Sequence, residues 1–370
     1  MKFFIIAGEA SGDLHASNLI KALKAGDSQA DFQFWGGDKM QEAAQTTPLK
    51  HIRELAFMGF IEVVQNLYKI IQNLKQCKQQ IESYQPDVVI LVDYPGFNLK
   101  IAKFAHQAGF KAFYYISPKI WAWKEKRVYT IKENVDHMFS ILPFETEFYQ
   151  RFGVEVDYIG NPLMDAIEKY RRTKDDVIFH SADSRPIIAL LPGSREQELR
   201  RMLPDMLQMI DTFPNYQFVV AATKSLSQNI YDEIIGNRTV QLVYDQTYEV
   251  LCQAEAALVT SGTATLETAL LNIPQVVCYK AHPISYVIAK NLVTVKYASL
   301  ANLIMDKEIV RELIQHDLNS DLLKKELEAI LVGGAKREQI LVDYAEMQEI
   351  VGEAGASERA AQLMIDYLSE

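Results

Sequence analysis

Short apolar runs alternate with longer amphipathic stretches along the whole chain, and this rhythm leaves few architectures open. A run such as Asp87–Val92 (DVVILV) is almost continuously apolar, so a strand formed there must be covered on both faces. Strands of that kind, separated by helix-length spacers, build parallel sheets with crossover helices. The spacing predicts strands at Lys2–Ala7, Phe32–Trp35, Asp87–Val92, Lys111–Ile116, His137–Leu142 and Val156–Ile159, with a helix from about Asp13 to Ala25. A second series follows at Ile187–Leu191, Phe218–Ala222, Val240–Val243, Ala256–Thr260 and Gln275–Tyr279. The polar, charged stretch Lys169–Arg185 separates the two and ends at Pro186. The expected fold is therefore α/β: two Rossmann-like, doubly wound parallel-sheet domains facing a central cleft. Their expected ranges are 1–168 and 186–345, with a linker at 169–185. A helical segment at 346–370 either crosses back to the first domain or swaps between subunits.

A length of 370 residues fits two domains at roughly 150 residues each. Hydrophobic residues at 49% and charged residues at 23% are ordinary for a globular chain and exclude a disordered one. The net charge of −10 disfavours a nucleic-acid partner. Cys77, Cys252 and Cys278 are far apart and odd in number, which argues against a disulfide framework and for a reducing, cytoplasmic setting. The apolar start Phe3–Ala7 is too short for a signal peptide, and no run approaches a membrane span.

Ligands of doubly wound sheets bind at the carboxyl ends of the strands, so the residues just after each strand matter most. After the first strand comes Gly8-Glu9-Ala10-Ser11-Gly12-Asp13, glycines at a strand-to-helix turn where amides can approach a ligand. The spacing is not that of a dinucleotide fingerprint. Ser11 or Asp13 as a simple helix cap fits the string equally well. After Asp87–Val92 comes Asp93-Tyr94-Pro95-Gly96-Phe97-Asn98, which places a carboxylate at a buried strand end. Partial burial would raise its pKa and suit it to general-base work, although a turn-capping Asp reads the same way.

The second array supplies Leu191-Pro192-Gly193-Ser194-Arg195, where amides, a hydroxyl and a guanidinium suit a diphosphate. It also supplies Ser261-Gly262-Thr263-Ala264-Thr265-Leu266-Glu267, a small-residue loop opening a helix. Glu267 lies about one and a half turns in, where it can accept from the vicinal hydroxyls of a ribose. A nucleoside diphosphate explains the four loops together. Seven scattered histidines and the lack of an Asp-x-Asp pattern give no metal site, and no cofactor is expected.

Taken in order, these strings resemble the lipid-A-disaccharide synthase family, together with Ser117-Pro118-Lys119-Ile120-Trp121-Ala122-Trp123, Leu142-Pro143-Phe144-Glu145 and Ser299-Leu300-Ala301-Asn302. The resemblance implies a GT-B glycosyltransferase that needs no metal. Such an enzyme joins UDP-2,3-diacylglucosamine to 2,3-diacylglucosamine 1-phosphate, with inversion and release of UDP. It implies Asp93 as the catalytic base with Glu9 beside the sugars, and Ser11 and Gly12 in the UDP-sugar site. Gly193, Ser194, Arg195, Gly262, Thr263, Thr265, Glu267 and Asn302 complete that site. Gly96 and Ala301 depart from the common pattern of Asp and Pro at these positions, so a two-acid mechanism is not expected.

The lipid substrates bear on Leu55–Leu74, where a wide apolar stripe follows helical spacing. The stripe either packs in a core or contacts acyl chains and membrane through Met58, Phe60, Ile61, Val64 and Leu67, with Lys69, Lys75 and Lys78 favouring an anionic bilayer. Trp121 and Trp123 beside Lys119, Lys124, Lys126 and Arg127 form a second basic-aromatic segment. The expected location is cytoplasmic, peripheral to the inner membrane, and a homodimer is one of the assemblies left open. Two other readings stand beside this one: a UDP-N-acetylglucosamine-using GT-B enzyme of the 2-epimerase or muramyl-peptide transferase type, or a non-catalytic lipid- or nucleotide-binding protein.

Overall fold

The computed structural model describes residues 1–55, 67–173, 180–282, 286 and 295–370. The chain divides into two compact units, Met1–Asp165 with Glu353–Glu370, and Ala166–Gly352. The division falls inside the helix Pro162–Thr173, so the first part of the stretch expected as linker 169–185 is helical.

The first unit holds β1 (Lys2–Ala7), β2 (Asp31–Gly36), β3 (Lys50–His51), β4 (Val88–Val92), β5 (Lys111–Tyr115), β6 (His137–Ser140) and β7 (Asp157–Tyr158). They form one parallel sheet in the order β3-β2-β1-β4-β5-β6-β7. The order reverses between β1 and β4, whose last residues Ala7 and Val92 pair directly. All five residues of β4 are buried, as a strand covered on both faces requires. Phe3, Ile5, Ala7, Val88, Ile90 and Val92 pack on one face of the sheet against Ala16, Leu19, Ile20 and Leu23 of the helix Ala10–Gly26. Ala360, Ala361 and Met364 of the final helix Ala356–Ser369 join the same core. Arg359 ties that helix down by donating to the carbonyls of Ile159, Glu353 and Ala354.

The second unit holds β8 (Ile187–Leu191), β9 (Gln217–Ala222), β10 (Gln241–Tyr244), β11 (Ala254–Thr260), β12 (Gln275–Tyr279) and β13 (Glu312–Ile314). Its parallel sheet runs β10-β9-β8-β11-β12-β13 and reverses between β8 and β11. Each sheet thus has one topological switch point, where neighbouring crossovers run to opposite faces and a crevice opens at the strand ends. Among the described residues, no helix is long and apolar enough to cross a membrane.

Candidate functional site

The two switch points carry the loops that matter. In the first unit, β1 ends in Gly8–Asp13 and β4 ends in Asp93–Asn98. In the second, β8 ends in Pro192–Arg195 and β11 ends in Ser261–Glu267.

After β4 the backbone takes two consecutive left-handed residues, Asp93 at φ 43° and Tyr94 at φ 50°, before Pro95 opens the helix Pro95–Ala108. Neither residue is glycine, and each such conformation costs on the order of 1–3 kcal/mol unless its surroundings enforce it. They do so here. Asn98 donates its side-chain amide to the carbonyls of Val92 at 3.2 Å and Asp93 at 2.8 Å. The Tyr114 hydroxyl donates to the Asp93 carbonyl at 2.6 Å, and the Asp93 amide donates to Tyr115 at 3.2 Å. The Tyr94 ring lies so close over Gly8 that a Cβ there would sit 2.4 Å from it. Only glycine fits that position.

This turn sets Asp93 at the strand end, just before the helix Pro95–Ala108. Burial, and next the negative charge of Glu9, push its carboxyl up to about 6, against the pull of Lys119 and the Tyr94 amide. Glu9 itself is exposed at the start of the helix Ala10–Gly26 and makes no capping hydrogen bond. Ser11 is exposed one turn on. Gly12 is buried against Ala7, where a Cβ would meet the Ala7 side chain at 3.3 Å. It lets the helix Ala10–Gly26 pack closely against β1. Asp13 is also buried and caps a different helix from its own. Its carboxylate accepts from the amides of Gly37 at 2.7 Å, Lys39 at 3.1 Å and Met40 at 3.1 Å, at the start of Asp38–Ala44.

In the second unit, Gly193 sits at φ 102°, with the Glu198 carboxylate where a side chain would otherwise be. Ser194 and Arg195 are exposed, and Arg195 leads the helix Glu196–Leu207. Its guanidinium makes one ion pair, to Glu198 at 3.4 Å. Amides, a hydroxyl and a cation at a helix N-terminus form an anion site. Gly262 and Thr263 are exposed at the start of Thr263–Leu270. Glu267 is half-buried and accepts from the Tyr248 hydroxyl at 2.8 Å. Burial raises its pKa and that hydrogen bond opposes the rise.

Two more residues of the expected site are buried. Thr265 is fully buried, with its hydroxyl donating to Gly262 at 2.8 Å and accepting from Leu300 at 3.3 Å, so it stabilises the helix start. Asn302 is also fully buried and all its hydrogen-bonding capacity is used. It donates to Val310 and Glu312 at 2.9 Å each, and accepts from Ile309 at 2.8 Å and Val310 at 3.0 Å. These bonds tie Asn302 to the loop that leads into β13.

Met58, Phe60, Ile61 and Val64 lie outside the described residues, as does the side chain of Leu67. The helix Leu67–Tyr84 exposes Tyr68 and Ile71. Trp121 is buried, its indole donating to Glu145, whereas Trp123 is exposed with the Lys124 ammonium 4.0 Å from its ring centre. Sequence reasoning gave no role to Tyr114, Tyr248 or Asn98. The signal for the tyrosines was only that a buried phenol needs a partner.

The chain matches the family model described as lipid-A-disaccharide synthetase over residues 3–365. It is 34% identical to the lipid-A-disaccharide synthase of Geobacter sulfurreducens, covering 100% of this chain and 98% of that one. It is 37% identical to that of Myxococcus xanthus, covering 99% and 97%. Among solved structures it is similar to the UDP-GlcNAc 2-epimerase from Neisseria meningitidis bound to UDP-GlcNAc, with a TM-score of 0.66, 12% identity and full coverage of both chains. It is similar also to CalG4, the calicheamicin glycosyltransferase, with a TM-score of 0.62, 14% identity, and coverage of 100% and 98%. These likenesses show the fold, which is GT-B, and do not choose between epimerase and transferase. The family match does, because it runs through both switch points of a full-length relative: the chain belongs to the lipid-A-disaccharide synthase family.

Proposed function

We propose that this glycosyltransferase joins UDP-2,3-diacylglucosamine to 2,3-diacylglucosamine 1-phosphate, with Asp93 as the general base. The acceptor 6-hydroxyl oxygen attacks C1 of the donor and its proton passes to the Asp93 carboxylate. The bond from C1 to the β-phosphate oxygen breaks, and UDP leaves with the electron pair, inverting C1 to a β-1,6 linkage. Arg195 and the amides around Gly193, Ser194, Gly262 and Thr263 meet the charge that develops on the diphosphate. Glu267 holds the ribose hydroxyls.

The observation that carries this reading is the placement of Asp93. Its carboxyl stands at a switch-point strand end, on an enforced left-handed pair, and is pushed up to about 6. A base with that affinity for protons is largely ionised at neutral pH yet still draws a proton effectively. Exposed Tyr68, Ile71 and Trp123, with Lys69, Lys75 and Lys124 near them in sequence, support peripheral contact with an anionic lipid surface at the cytoplasmic face.

The test is UDP release from the acylated donor, with and without acceptor lipid. Asp93→Asn should lower turnover by roughly 100-fold or more while leaving the UDP Kd unchanged. Arg195→Ala should raise the UDP Kd about 10-fold or more, with stability within about 0.5 kcal/mol of wild type, because its ion pair is exposed. Wild-type turnover in Asp93→Asn sinks the base assignment, and an unchanged UDP Kd in Arg195→Ala sinks the diphosphate assignment.

A further inference from the structure

A second strained turn stands beside the first. β5 pairs with β4 along its length, and Ile116, the residue after β5, sits at φ 65°. A β-branched residue rarely adopts this conformation, so its neighbours must hold it there. The next residues, Ser117, Pro118, Ile120 and Trp121, are all buried, and Lys119 is the one exposed side chain among them.

A carboxyl in the core bonds to the residues that follow Ile116. Glu145, 1% exposed, lies in the first turn of the helix Pro143–Gln150, which follows β6. The Trp121 indole donates to its Oε1 at 2.9 Å, Ser117 hydrogen-bonds to it, and the Leu142 amide reaches its Oε2 at 3.4 Å. Ser117 is tied in turn to the Tyr149 hydroxyl at 2.9 Å, and Trp121 stacks edge-on against Phe144. Burying a carboxyl disfavours folding unless it is well bonded, and an apolar side chain would fill the same space without that penalty. A buried polar network of this kind specifies one local geometry rather than adding net stability. The geometry it specifies is the loop that carries Lys119, whose charge acts on both Glu145 and Asp93.

We propose that Glu145 is a positioning residue for the transfer: through Trp121 and Ser117 it fixes the loop from Ile116 to Trp121 and so holds Lys119 toward Asp93. The inference rests on Asp93 being the base. The charged and titratable groups acting on Asp93 are Glu9 from the loop after β1 and Lys119 from the loop after β5, with the Tyr114 phenol on β5 beside it. Those acting on Glu145 are Lys119, Tyr149 and Tyr158. Burial pushes Glu145 up to about 7, so near neutrality it is divided between carboxylate and acid, and an amide is a fair replacement for it.

The experiment measures UDP release against pH for Glu145→Leu, Glu145→Gln, Trp121→Phe and Lys119→Ala in the full chain. Glu145→Leu and Trp121→Phe should lower kcat roughly 10- to 100-fold with the donor KM within about 2-fold, since misplacement acts on the reacting geometry. Their acidic limb should move to higher pH, because a displaced Lys119 no longer favours the Asp93 carboxylate. Lys119→Ala should shift that limb in the same direction and add little on top of Glu145→Leu. Glu145→Gln, which still offers the indole an acceptor, should recover most of the kcat lost in Glu145→Leu. An unmoved acidic limb in Trp121→Phe and in any folded Glu145→Leu, with only melting temperature reduced, overturns the proposal and leaves Glu145 a packing residue. Should Glu145→Leu fail to fold, Trp121→Phe decides alone. Asp93→Asn separates the two readings. If it keeps wild-type turnover, the base assignment fails whatever Glu145 does. If it is inactive while Trp121→Phe matches wild type in kcat and pH profile, the positioning role alone fails.

Discussion

Tyr114 donates its hydroxyl to the Asp93 backbone carbonyl at 2.6 Å, so the neighbouring strand holds the peptide of the proposed base in place. Asn98 shares that carbonyl at 2.8 Å and also reaches Val92. Burial and the neighbouring Asp93 charge keep the Tyr114 phenol protonated and therefore a donor. Tyr114→Phe leaves the carbonyl with Asn98 alone, which should reduce stability by about 1 kcal/mol and kcat several-fold through a looser turn. Asn98→Ala removes more bonds and should reduce stability by roughly 2–4 kcal/mol. Urea midpoints together with UDP release check both. A Tyr114→Phe chain with wild-type kcat and midpoint would show that the hydroxyl does not hold the turn.

The raised pKa of Asp93 gives activity and stability opposite pH responses. As the proposed base it must be ionised, so kcat/KM should climb as pH rises through about 6 and then level off. In the folded chain the carboxyl holds its proton more tightly than at its ordinary value of 3.8. Its contribution to stability is therefore full below 3.8 and is lost as pH rises through about 6. Asp93→Asn cannot ionise and should be the more stable chain at pH 7, by on the order of 1–3 kcal/mol, with the gap closing in acid. Denaturation of the two chains at pH 4 and pH 7 measures it. A mutant no more stable than wild type at pH 7 contradicts the buried, disfavoured carboxylate.

The switch points were legible because strands buried on both faces must be continuously apolar. Val88–Val92 and Ile187–Leu191 announce themselves, and the loops after them fall at the right end of the sheet. Lys50–His51 and Glu312–Ile314 did not, because two or three residues at a sheet edge carry no periodicity. What the sequence left open inside the site has one cause. Small residues after a strand mark a place where backbone comes close to something, and the string cannot say to what. At Gly262 the loop is exposed, and at Gly193 the approach is to the Glu198 carboxylate. At Gly12 the approach is to Ala7, and at Thr265 to the helix's own first turn. The four internal hydrogen bonds of Asn302 are likewise invisible in a four-residue motif.

Asp13 shows how far from its own neighbourhood a cap can act. Its buried carboxylate accepts three amides at the start of Asp38–Ala44, a helix whose own N-cap residue is Gly37 and has no side chain to offer. Asp13→Ala would leave those amides buried or half-buried without an acceptor and should reduce stability by roughly 2–4 kcal/mol. Asp13→Asn keeps an acceptor oxygen and should lose less. Because the Asp13 carboxylate is occupied by these three amides, both folded variants should keep the wild-type donor KM. A thermal or urea midpoint for Asp13→Ala equal to wild type would rule out the capping role.

Tyr248 stands to Glu267 as Tyr114 does to Asp93, but through the side chain. Its hydroxyl donates to Oε1 at 2.8 Å and opposes the upward push that burial gives the carboxyl. Removing that donor lets the Glu267 pKa rise further, which favours its protonated form more as pH falls. A protonated carboxyl accepts less well from ribose hydroxyls. Tyr248→Phe should therefore weaken UDP binding by roughly 3- to 10-fold near pH 6 and by less at pH 8. Glu267→Ala should weaken it at both. Titration of UDP binding by calorimetry at the two pH values distinguishes them. A Tyr248→Phe chain whose UDP Kd matches wild type at pH 6 would mean that Glu267 holds its charge without help, and that the tyrosine serves only the packing of Tyr170 against its ring.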